Sequence, residues 1–161
     1  MLKKLDLILI GIFFVISGCA VTKPAPTVPA EELTLQEVHD IVLKKNVIFD
    51  RSIEWMMRTF VDSTQVIELQ DKETGKIIGK GMTEFYNGNM PTPCRFTMMI
   101  EVKDNKYRAT YSNFTGLWGS ARNLPRPLWH PNHIKQVKVK LKTLDDSLYQ
   151  YLSEKQTDES W

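Results

Sequence analysis

The sequence predicts an α+β domain whose elements run strand, helix, four strands, helix. Two observations carry this expectation. Over much of residues 65–114, apolar and polar residues alternate with period two, as in strands that bury one face. On either side, apolar residues recur at spacings of three and four, the period of helices packed along one stripe. A sheet with one apolar and one polar face is in most cases antiparallel and covered on one side.

The first element has two readings. Thr34 and Glu37 form a possible capping box, and Leu35, Val38 and Val42 suit a short helix. His39, Ile41 and Leu43 also alternate with Val38, Asp40 and Val42, which favours a strand over residues 36–43. A helix follows over residues 45–61, with Phe49, Ile53, Met56, Met57 and Phe60 on one stripe. Asp50, Arg51, Glu54 and Arg58 lie off that stripe, and Asp62-Ser63 ends it.

Strands over residues 65–70 and 76–85 flank a polar turn that closes on Gly75. Gly79 and Gly81 share the parity of Ile77, as a bulge or a close backbone approach beneath a helix requires. A phosphate-cradling loop would need these glycines at a strand-to-helix turn instead. After a loop at 86–93, strands over 95–103 and 107–114 flank Asp104-Asn105-Lys106. Phe96, Met98, Ile100 and Val102 share one face of the first of these; Thr97, Met99, Glu101 and Lys103 share the other. Tyr107, Ala109 and Tyr111 alternate with Arg108, Thr110 and Ser112.

Residues 115–133 lack a period and carry Pro125, Pro127 and Pro131, so they read as a long loop. The last helix places Ile134, Val137, Leu141, Leu144, Leu148 and Tyr151 or Leu152 on one face, with Asn132 as its N-cap.

Ahead of the domain, Lys3 and Lys4 precede about ten apolar residues at 7–16. That run suits a signal-peptide core and is too short to span a bilayer. Val15-Ile16-Ser17-Gly18-Cys19 resembles the lipobox of bacterial lipoproteins. The resemblance implies lipidation of the Cys19 thiol, cleavage before it, and acylation of the new amino terminus. Ala20 rather than aspartate follows, which by the enteric sorting rule implies the outer membrane, facing the periplasm. Pro24, Pro26 and Pro29 make the next stretch an extended tether. The chain divides into a signal segment 1–18, a lipidated cysteine and tether 19–33, a domain 34–155 and a flexible tail 156–161.

Cleavage removes two lysines and one aspartate, leaving nearly balanced charge. An overall basic excess of the kind that binds nucleic acid is missing. With Cys19 lipidated, Cys94 stands alone, so a disulfide framework is excluded and Cys94 reads as a buried small hydrophobe.

Three stretches together point to a family. They are Phe49-Asp50-Arg51 leading to Trp55 and Phe60, the glycine-bearing segment from Lys72 to Gly81, and the hairpin from Ile100 to Tyr111. The chain resembles bacterial exported and lipoprotein domains of unknown function with a TATA-binding-protein-like (TBP-like) fold. That resemblance implies a curved antiparallel sheet with both helices on one face. It does not imply DNA binding, because folds host unrelated functions. The polar sheet face mixes Glu101 with Lys103 and Arg108, and no nucleic-acid partner is expected.

No catalytic constellation stands out, and no cofactor is implied. His130 and His133 are three apart in a proline-rich segment, weak candidates for metal ligands because zinc sites want three or four. No nucleophile elbow surrounds a serine. Asp145-Asp146 reads as a charged pair on the solvated side of the last helix. Asp40 is a strand acid with no evident partner. Trp118 and Trp129 flank the proline-rich segment beside Arg122 and Arg126, residue types that dominate binding hot spots. The same tryptophans would also serve to pin the loop to the core.

The expectation is therefore a membrane-anchored envelope module that binds a protein, peptide or envelope component. The alternative is a small hydrolase or metal-dependent enzyme built on residues 115–133. A third reading is an assembly subunit that pairs through a sheet edge.

Overall fold

The computed structural model describes residues 28–60 and 67–154. Cys19, most of the tether, Asp62-Ser63 and the tail lie outside them. A short 3-10 helix, Ala30–Leu33, leads into β1 (Leu35–Asp40), α1 (Lys45–Thr59), β2 (Ile67–Asp71), β3 (Lys76–Asn87), β4 (Met90–Lys103), β5 (Lys106–Trp118), β6 (Leu124–Pro127) and α2 (Pro131–Ser153). The strands form one curved antiparallel sheet in the order β1-β5-β4-β3-β2, with β6 also paired to β5. Both helices cover one face and share a single core with it. This is the α+β architecture expected, with an added edge strand.

Residues 34–44 resolve as strand β1, which ends at Asp40 rather than residue 43. Beyond it, the Ile41 amide bonds to the Asn105 carbonyl and the Asn105 amide to Leu43, so the chain turns there. The buried stripe of α1 is Ile48, Phe49, Ser52, Trp55 and Met56, whereas Met57 is 67% exposed. Met57 lies about 140° around the helix from Ser52 at 100° per residue. The Trp55 indole takes the core position instead and meets Phe60 edge-on at 5.6 Å.

Two segments read as loops are paired strand. Residues 86–93 hold only a two-residue turn, Gly88-Asn89, with Gly88 at φ 61°. Pro91 and Pro93 belong to β4, which has β3 on one side but no β5 partner until Cys94. Proline is tolerated where one side of a strand is unpaired. The same condition holds for Pro125 and Pro127 in β6, which pair only with β5. Gly81 faces its cross-strand partner Phe96, whose ring would lie 2.1 Å from an added Cβ. An aromatic ring, not a helix, is therefore the close approach at that glycine.

Caps come from distant residues. Asp104, in the β4–β5 turn, accepts from the Lys45 amide at 2.8 Å and supplies negative charge to the amino end of α1. Arg51 of α1 donates to the carbonyls of Tyr151, Leu152 and Glu154, satisfying the last turn of α2. The N-cap of α2 is His130 rather than Asn132, because Pro131 takes the first helical position. Gln136 bonds both the amide and the carbonyl of Tyr86, covering the β3 edge beyond the end of β2.

Candidate functional site

Strand β6 gathers the residues singled out around the proline-rich segment. It extends the sheet edge in line with β1: β1 pairs with residues 106–111 of β5 and β6 with residues 115–118. Paired residues across strands share a face, so Leu124 opposite Trp118 and Arg126 opposite Gly116 project to the side that carries α2.

The two tryptophans have different roles. Trp118 is half-buried; its ring lies over Gly116, 5.4 Å from Phe85 and 5.9 Å from His133. It pins the segment to the core. Trp129 is 52% exposed and, among the aromatic rings of the described residues, touches only His130, edge-on at 5.7 Å. Arg122 occupies the β5–β6 turn at φ 51°, and both Arg122 and Arg126 are exposed. Among the described residues, no acid pairs with either arginine. Arg122, Arg126 and Trp129 are thus exposed along one segment, with Leu124 exposed between the two arginines in sequence.

The histidine pair is committed elsewhere. The His130 Nδ1 accepts from the Asn132 amide at 3.3 Å, and the ring lies 4.7 Å from His133. His133 packs 4.6 Å from Phe85; burial, and then the neighbouring His130, lower its pKa. Among the described residues, no group of three or more His, Cys, Asp or Glu is arranged to hold a metal ion. Among the described residues, His130 and His133 have no third ligand beside them.

Asp145 is fully buried, not solvated as its place beside Asp146 suggests. Its Oδ2 meets His39 Nε2 at 2.6 Å and its Oδ1 accepts from the Tyr111 hydroxyl at 3.1 Å. The His39 ring stacks between Tyr107 at 4.9 Å and Tyr149 at 5.1 Å. Burial raises the Asp145 pKa, opposed by His39, and burial with the adjacent carboxylate raises both Tyr107 and Tyr111. The residues bind β1, β5 and α2 together, and the aspartate and Tyr111 hydroxyl lie too deep for direct contact with a large partner. The missed signal was periodic: Leu141, Asp145, Leu148 and Leu152 are separated by four, three and four. Asp40, the other acid noted in the strand, is exposed and lies 3.6 Å from Lys106.

On the opposite face, charges are mostly paired. Arg108 holds Glu101 through two donors at 2.8 and 2.6 Å, and Lys80 meets Glu68 at 2.5 Å. Cys94 is buried, and desolvation pushes its thiol up to about 12.

The residues that carried the family resemblance turn out to be structural. Phe49 and Trp55 fill the core, Asp50 pairs with Lys72 at 2.8 Å, and Arg51 caps α2. Gly75, at φ 74°, leaves no space for a Cβ against Lys45 and the Val102 carbonyl. A family model described as a domain of unknown function (DUF4468) with TBP-like fold matches residues 36–116. A crystal structure of a TBP-like protein from Parabacteroides distasonis ATCC 8503 aligns with a TM-score of 0.64 at 14% identity. The alignment covers 80% of this chain and 96% of that one. A DUF4468 family protein from Bacteroides ovatus ATCC 8483 aligns with a TM-score of 0.63 at 10% identity, covering 83% and 92%. At such identities the likeness concerns the fold. No curated protein matches the sequence.

Proposed function

The chain belongs to the DUF4468 family of TBP-like domains, and from that premise we propose that it is an envelope lipoprotein serving as a binding module. In this reading a lipid on Cys19 anchors it, in the outer membrane facing the periplasm. The domain then presents Arg122, Arg126 and Trp129 to a protein, a peptide or another envelope component. The observation that carries the binding role is Trp129. A large amphipathic side chain is left 52% exposed three residues from Arg126, which has no acidic partner among the described residues, while Trp118 does the packing. Exposed tryptophan with arginine is the composition of interface anchors.

The test is chemical crosslinking in intact envelopes, comparing the wild-type lipoprotein with Trp129→Ala and Arg126→Ala. The reading expects a discrete adduct that both variants lose while melting temperature stays unchanged. An adduct pattern identical in all three proteins would overturn a protein or peptide partner at this site.

A further inference from the structure

We propose that the corner formed by β6, residues 128–130 and the first turns of α2 is a membrane-docking face that seats on anionic phospholipid headgroups. The proposal rests on the binding-module reading above and names the partner of that same site. Charge is the first argument. Between Asp104 and Asp145 the sequence contains no acidic residue. Of the cations in that interval, Lys140 meets Glu84 at 2.9 Å and Lys142 meets Glu37 at 3.4 Å. Arg122, Arg126, Lys135 and Lys138 have no acidic partner among the described residues. Glu32 lines the groove beside Lys135 and Lys138, and Glu31 precedes it, yet the four cations without an acidic partner among the described residues outnumber these two acids.

Apolar exposure is the second argument. Leu124, Trp129 and Val139 are 51%, 52% and 61% exposed. Tryptophan beside lysine and arginine is the composition of the bilayer interface, where the indole sits at headgroup depth.

The third is the point at which the tether joins. Val28 packs against the core, and the 3-10 helix contacts β5 beside the junction of β1 with β6. Glu32 and Leu35 share a groove with Ile134, Lys135, Lys138 and Val139 of α2. The segment from Cys19 therefore enters the domain at this corner. Val28 lies nine positions after Cys19, a reach of at most about 30 Å. A lipid on Cys19 would hold this corner close to the headgroups, at high effective concentration. A lipid chain and a basic patch are two anchoring signals that reinforce each other.

The experiment reconstitutes the full lipidated protein into vesicles of phosphatidylcholine, with or without phosphatidylglycerol, and footprints its lysines with an amine-reactive reagent. Lys135 and Lys138 are expected to be protected only when phosphatidylglycerol is present, and high salt should abolish the protection. Lys76 and Lys103, on the other sheet face, should react equally in both. Replacing Arg126 with glutamine should weaken the docked state about fivefold. Equal labelling of Lys135 and Lys138 in both vesicle types would overturn the proposal. Protection confined to native envelopes would also overturn it, and would leave a protein partner, and so the binding-module reading, standing. Failure to float with either vesicle type would instead overturn the lipid anchor.

Discussion

His39 is held on three sides, by Asp145 at its Nε2 and by the rings of Tyr107 and Tyr149. Removing the hydrogen-bond partner of a fully buried carboxylate leaves it uncompensated, at a cost of about 3 kcal/mol. Burial raises the Asp145 pKa, so its contribution to stability is fully present below the ordinary aspartate value of 3.8. That contribution is lost as pH rises through the folded value. His39 opposes that loss by favouring the carboxylate. His39→Ala should therefore lose about 3 kcal/mol at neutral pH, with a deficit that shrinks as the solution is acidified. Pairing it with Asp145→Leu should recover most of the loss at neutral pH. Chemical denaturation across pH measures both; a deficit independent of pH would contradict the role given to Asp145. A second residue-scale expectation concerns Cys94, whose thiol burial pushes up to about 12. Native protein should resist thiol reagents at mildly alkaline pH and react only on unfolding; rapid labelling would contradict its burial. The burial of Cys94 was legible in the sequence. The burial of Asp145 was not, because adjacent acids look alike until the helix period is carried through Leu141, Leu148 and Leu152.

The elements depend on residues far away in sequence. Arg51 of α1 bridges to three carbonyls at the end of α2. Arg51→Ala should cost about 1–2 kcal/mol and speed amide exchange at the carboxyl end of α2 before the rest of the helix. Lysine should restore only part of this, because its ammonium lacks the guanidinium fork. Gly81 lies under the Phe96 ring, so Gly81→Ala should overpack the core by about 1–3 kcal/mol, relieved by Phe96→Leu. Thermal melting of the single and double variants checks this, and additive losses would contradict the contact. Alternation made β4 and the first half of β5 legible, since Phe96 through Val102 and Tyr107 through Tyr111 keep strict parity. β6 and the start of β4 were hidden by Pro91, Pro93, Pro125 and Pro127. Proline forbids a central strand but not one with an unpaired side, and which side is unpaired depends on neighbours that the local sequence does not name.

At the scale of the molecule, the family motifs and the candidate site separate cleanly. Phe49, Asp50, Arg51, Gly75 and Gly81 hold the helices and hairpins in place, which is why they reveal the fold and no chemistry. The site lies around β6, mostly beyond the matched residues 36–116, and an unrecognised edge strand assembles it. Sequence reasoning singled out Trp118, Arg122, Arg126 and Trp129 as candidates but could not separate Trp129 from Trp118, because exposure depends on Gly116 and Phe85 receiving only one indole. The distinction gives a direct expectation for stability: Trp118→Ala should cost about 3–5 kcal/mol, and Trp129→Ala within about 0.5 kcal/mol. The central claim is that this domain works while anchored through Cys19, and membrane fractionation of Cys19→Ser against wild type tests it most directly. Wild type should stay with the membranes in high salt and leave only with detergent, while the variant is released by salt. A variant that remains as firmly bound as wild type in high salt would contradict the account.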